Sequence, residues 1–144
     1  MQRSSDTTLD FDLELAKKAS SENPVFYVQY AHARICSIFR PAQGIETFQT
    51  NEPTVLQADK TFLIEPTERT LILKLLSYPD EIRWAASERA PYQLARYAQE
   101  LATLFHQFYQ QCRVLNPQDQ NLTLARLHLV LATRIVLRNL LTDI

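Results

Sequence analysis

Tyr27, Tyr30 and Arg34 are the residues of this chain whose types and spacing can do chemistry together. On a helical wheel turning about 100° per residue they fall within an arc of roughly 60°. Two phenols and a guanidinium on one shoulder of a helix make a surface that can stack on flat rings and hold phosphate. The same spacing also suits a core, since aromatic residues at helical intervals more often pack inside than bind a ligand. A lone arginine is more often a solvated charge.

The element that must position these three reads from Asn23 to Arg40. Asn23 can cap free backbone N–H groups, and Pro24 suits the first helical position, where its missing N–H costs nothing. Val28, Ala31, Ile35, Ile38 and Phe39 form an apolar stripe beside the trio, which should face a core. Pro41 predicts a stop near Arg40.

No set of residues supports a reaction centre, so no catalytic residue is assigned. His32, His106 and His128 lie on three predicted helices with no cysteine or carboxylate at metal-ligand spacing, so no metal site is expected. His32, on the apolar side of its helix, reads as a structural histidine. No nucleophile motif occurs. A single glycine, Gly44, excludes glycine-rich phosphate loops and argues against hairpin-rich β folds. Read from its residues alone, the chain is a binding module.

Its 144 residues suit one domain, with 46% hydrophobic and 22% charged residues as in ordinary globular proteins. Net charge is −1, so no global field draws nucleic acid. The distribution is uneven, however. Three basic residues face five acidic ones between Met1 and Glu22, whereas five face two between Pro91 and Arg138. The basic half fits an anionic partner or solvated helix faces equally well. Cys36 and Cys112 both sit in apolar helical patterns and read as buried free thiols. No signal peptide and no long uncharged apolar run is seen, so a cytoplasmic setting with no membrane partner is expected.

Further helices follow. Asp10 to Ala19 reads as a short helix or an extended arm. Pro41 to Pro66 is irregular, with a short helix expected around Val55 to Asp59. Thr67 to Leu76 is helical up to Ser77–Pro79. Pro79 opens another helix, with Ile82, Ala85 and Ala86 inward and Trp84 in the core or at its rim. From Pro91, the positions Leu94, Ala98, Leu101, Phe105, Phe108, Cys112 and Leu115 recur at alternating steps of four and three, an inward stripe flanked by Tyr97, His106 and Tyr109 and closed by Asn116-Pro117. A last helix spans Leu122 to about Leu141, apolar over most of its circumference and therefore central. The fold class is an all-α bundle of five to six helices.

The order of residues adds what spacing does not. Val25 to Ile35, Val-Phe-Tyr-Val-Gln-Tyr-Ala-His-Ala-Arg-Ile, resembles the segment that opens the DALR-type anticodon-binding domain of class I arginyl-tRNA synthetases. Asp10 to Ala16, followed by Asn23-Pro24-Val25, resembles the passage into that domain from the catalytic half. Leu94 to Leu115 resembles its middle helix, and Ala125 to Asn139 its last one. The resemblance therefore covers nearly the whole chain. It implies a connecting segment over 1–22 from the end of a catalytic half, and a helical anticodon-binding domain over 23–144.

The resemblance also implies a function. Such a domain grips the anticodon stem-loop of arginine tRNA while a separate catalytic domain, the other expected partner, activates arginine with ATP. DNA is not an expected partner. Carried over by matched position, Tyr27, Tyr30 and Arg34 are the implied tRNA contacts, with Arg126 and Arg134 of the last helix expected on the phosphate backbone. No cofactor is expected in this segment. The His-x-Gly-His and Lys-Met-Ser-Lys motifs that hold ATP in class I synthetases are absent, as is the family's usual tail ending in Met. The chain then reads as a piece of a longer ligase or, alternatively, as a free-standing synthetase-derived protein-interaction module without charging activity.

Overall fold

The computed structural model describes residues 13–17, 23–44 and 59–143. They form α1 (Leu13–Lys17), α2 (Pro24–Gly44), a 3-10 turn (Lys60–Phe62), α3 (Pro66–Leu76), α4 (Tyr78–Ser87), α5 (Tyr92–Gln111) and α6 (Gln120–Asp143), with no strand among the described residues. The all-α expectation holds. The helix foreseen around Val55 to Asp59, up to residue 58, and most of the segment 1–22 lie outside the described residues.

Each long helix begins where its sequence supplies an acceptor or a proline. Asn23 Oδ1 accepts from the N–H groups of Val25 at 3.1 Å and Phe26 at 3.4 Å, and Pro24 opens α2. Pro66 opens α3, where Glu68 reaches back to the Glu65 N–H at 2.9 Å. Asp119 Oδ1 takes the Leu122 N–H at 2.9 Å at the head of α6. These side chains satisfy donors that the first helical turn leaves free.

Two helix ends differ from expectation. α2 runs through Pro41 to Gly44. A proline removes one backbone donor, and a single lost bond near the end of a helix anchored by a long apolar stripe does not stop the following residues from coiling. α5 stops at Gln111, and Cys112 is extended, although the apolar stripe continues to Leu115. The chain alternates instead, with Cys112 and Val114 buried and Arg113 outward. Tertiary partners take over the freed backbone groups. Arg126 Nη1 donates to the Arg113 carbonyl at 2.9 Å, and the Thr123 hydroxyl bonds both the N–H and the carbonyl of Asn116 at 2.9 and 3.0 Å.

The core joins Val28, Ala31, Ile35 and Ile38 of α2 with Leu71, Leu101, Phe105, Phe108, Leu127, Val130 and Leu137. The hub is α5, which packs against α2, α3, α4 and α6. Lys74 and Arg96 both pair with Glu100, at 2.6 and 2.8 Å, tying α3 to α5. The Lys74 hydrogen bond, followed by that of Arg96, holds the Glu100 carboxyl below its usual range. Burial pushes the Tyr97 phenol up to about 12, so it stays neutral and donates to the Lys74 carbonyl. On α4 Ala85 is buried and Tyr78 packs against the core beside Tyr97. Ile82 and Ala86 are exposed, as is Trp84, because α4 packs mainly on α5 and α3.

α4 ends in a left-handed turn at Arg89, φ 51°. The Ala90 N–H bonds the Ala85 carbonyl at 2.9 Å and the Arg89 N–H bonds that of Ala86 at 3.3 Å, a closure that usually employs glycine. A side chain in that region carries a cost that glycine avoids. Arg89→Gly is therefore expected to raise stability by roughly 0.5–1 kcal/mol, read as a higher denaturant midpoint.

Candidate nucleic-acid interface

The N-terminal half of α2 brings its shoulder against the C-terminal half of α5. Arg34 Nη1 donates to the Tyr30 hydroxyl at 2.8 Å. Its guanidinium lies 4.6 Å from the centre of the Tyr109 ring and 6.0 Å from that of Tyr30. Tyr30 stacks on His106 with centroids 5.6 Å apart and planes 28° apart, while Tyr27 tilts against the same imidazole at 5.1 Å. Tyr30 is 44% exposed; Tyr27 is half-buried and leans on the core. The trio is thus not sealed inside. It forms a small sheet of rings with a planar cation wedged in it, and the outermost ring is open to solvent.

Tyr109 also lines an open groove of about 440 Å³ that continues past Ser37 and Ile38 to Cys112 and Arg113. One side of α2 therefore presents a flat aromatic platform, a guanidinium and an apolar recess in sequence. Such a surface can receive unstacked bases by ring stacking and hold phosphate with arginine.

The two arginines expected from α6 do not join the trio. Arg126 is a correction: it is only 8% exposed and points inward, where its Nε meets the Glu68 carboxylate at 2.6 Å. With its remaining reach spent on the Arg113 carbonyl, it stands as a structural tie and not as a surface cation. Arg134 sits 4.9 Å over the Phe39 ring. Together with Arg138 it bears on His32, on a different flank of α2.

Sequence reading missed His106 and Tyr109 as members of the site. Both had been placed beside the α5 stripe, three residues apart; the signal available was that spacing, one helical turn, which puts them on a common edge. Cys36, expected buried, is half-buried, its sulfur 3.9 Å from His32 Nδ1; Cys112 is buried as expected.

Burial, reinforced by Arg34, holds His106 below the ordinary 6.5, and burial, reinforced by Arg134 and Arg138, does the same for His32. Unfolded histidines take up protons near pH 6.5 while these two resist. Stability from this source is thus complete above that pH and is lost as pH falls through the folded values. The thermal midpoint is expected to decline from about pH 7 to about pH 5, as checked by melts across that range.

A family model described as the DALR anticodon binding domain matches residues 28–143, and the chain belongs to that family. It is 54% identical over 143 residues to the arginine–tRNA ligase of Heliobacterium modesticaldum and 52% identical to that of Symbiobacterium thermophilum, covering 98% of this chain and 25% of each relative. A Campylobacter jejuni crystal structure described as an arginyl tRNA synthetase superimposes with a TM-score of 0.78 at 28% identity, over 97% of this chain and 30% of that one. The chain spans about a quarter of the length of the curated relatives it matches. Among the described residues, no helix is long and apolar enough to cross a membrane.

Proposed function

We propose that the chain is the anticodon-binding part of an arginine–tRNA ligase. In this reading it grips the anticodon stem-loop of arginine tRNA so that the catalytic domain, supplied with ATP and arginine, charges the distant end in the cytoplasm. The observation that carries the reading is the exposed Tyr30 ring clamped by Arg34, which itself stacks on Tyr109. Tyr30 and Arg34 receive splayed bases, Tyr27 supports the platform from below, and Arg134 supplies a phosphate contact from the neighbouring flank.

The test is a titration with arginine tRNA and with a tRNA of altered anticodon over a range of salt. Tighter binding to the first, weakening steeply as salt rises, supports the reading; equal affinities or no binding overturn it. A second reading, a protein-interaction module, is favoured by the exposed apolar residues Leu73, Leu76 and Trp84 on α3 and α4. Under that reading, capture of a protein partner would be largely insensitive to salt.

A further inference from the structure

The aromatic platform occupies one flank of α2, and the opposite flank carries charge. His32, Cys36 and Phe39 sit roughly half a turn of the helical wheel away from Tyr27, Tyr30 and Arg34. There the neighbour is α6. Arg134 lies 4.9 Å over the Phe39 ring, and Arg138, one helical turn further on, bears with it on His32. Arg138 is exposed, as is Arg40 on the ridge between the two flanks. The rest of that ridge, Gln29, Ala33 and Ser37, is exposed and uncharged. α2 and α6 pack on each other and hold five arginines against a single carboxylate, Asp143, in a chain whose net charge is −1. Arg126 is spent inside on Glu68. Arg34, Arg40, Arg134 and Arg138 all reach the surface, so the cationic excess of these two helices faces outward.

We propose that the α2–α6 flank is a second RNA-contacting surface: Arg134 and Arg138 hold neighbouring phosphates of one strand, so that the tRNA straddles α2, with loop bases on its α5 side and sugar-phosphate backbone on its α6 side. A one-sign field over two packed helices attracts a polyanion. The cations are arginines, whose planar forks match phosphate oxygens in pairs. Four residues apart on one helix, the two guanidinium groups stand one above the other, within reach of a single strand. With its side chains α2 is only about 10 Å across, and no carboxylate on its ridge repels a strand that crosses it. The inference rests on the tRNA reading and extends it from one contact at Arg134 to a surface that fixes how the RNA lies on the bundle.

Salt titrations with arginine tRNA test it. Arg134→Gln with Arg138→Gln is expected to weaken binding tenfold or more at about 0.1 M salt, and to flatten the slope of log affinity against log salt by about 2, roughly one unit for each lost phosphate contact. Arg134→Lys with Arg138→Lys keeps both charges and should keep most of the slope. Arg83→Gln removes an exposed arginine from α4 and should leave the slope of the parent. Melts accompany each variant, because Arg134 also packs on Phe39. Should the double glutamine variant unfold early, Arg138→Gln alone, at an exposed position, decides the matter with an expected flattening of about 1.

A folded glutamine variant with the parent's slope overturns the inference and leaves the tRNA reading standing; an acidic protein surface then becomes the better occupant of this flank. The inference also falls if Arg83→Gln, or a folded lysine variant, flattens the slope as much as the double glutamine variant does, since the loss is then not one of local charge. A parent that binds no tRNA overturns both. A parent that binds arginine tRNA and an altered anticodon alike overturns the anticodon reading, while the change of slope still decides the flank.

Discussion

Replacing Arg126 by alanine is expected to cost about 3–5 kcal/mol of folding stability, lowering the melting temperature by roughly 10 °C or more. Glu68 has no exposed surface, and Arg126 Nε is the cation that meets it, at 2.6 Å. Removing that cation strands a carboxylate in the interior, and the stranded charge costs far more than the pair contributes. A second loss follows, because Arg126 Nη1 also holds the Arg113 carbonyl where the chain leaves α5.

The paired replacement Glu68→Leu with Arg126→Met separates these effects. It removes both charges, so most of the stability should return. It does not return fully, because the Glu65 N–H, which Glu68 accepts at 2.9 Å, and the Arg113 carbonyl both lose partners, at about 1–3 kcal/mol for each that stays buried. Denaturant unfolding of the three chains checks this. A loss below about 1 kcal/mol for Arg126→Ala, a value typical of a solvated pair, would show that Glu68 finds water or another donor.

The second large effect is on binding. Tyr30→Ala is expected to weaken arginine tRNA binding by about 1–3 kcal/mol, the worth of one stacked base, or roughly 5- to 150-fold. The melting temperature should move by only a few degrees, since the ring is 44% exposed and gives up one surface hydrogen bond to Arg34. Arg34→Lys should weaken binding as well, because an ammonium keeps the charge but not the planar face laid on Tyr109 at 4.6 Å. Calorimetric titration beside thermal melts distinguishes the outcomes. A Tyr30→Ala chain that unfolds early would make Tyr30 a core residue, and one that binds as before would remove it from the interface.

Much of the architecture was legible along the chain. The Asn23-Pro24 start, the α2 stripe and the repeat from Leu94 to Phe108 are local patterns, set by capping chemistry and by the 3.6-residue turn, and they appear in the fold as read. The exposure of Tyr30 was not legible, because helical spacing places a ring at an angle but cannot say whether another helix covers that angle. The same gap explains Arg126. An arginine on a predicted surface reads as solvated unless one knows that a glutamate 58 residues earlier has been carried inside to meet it.

By itself, then, the sequence determined the helices, the bundle, the family and the three residues on the shoulder of α2, since each depends on neighbours a few positions away or on the order of residues. Only the tertiary structure decided that α5 is the hub, that its last turn opens into an extended segment held by Arg126 and Thr123, and that His106 and Tyr109 complete the platform beneath Tyr30 and Arg34. Those facts depend on which faces meet across the bundle. That meeting is governed by the total burial of apolar surface and the pairing of nearly all buried polar groups, a condition no single stretch of chain can satisfy or reveal alone.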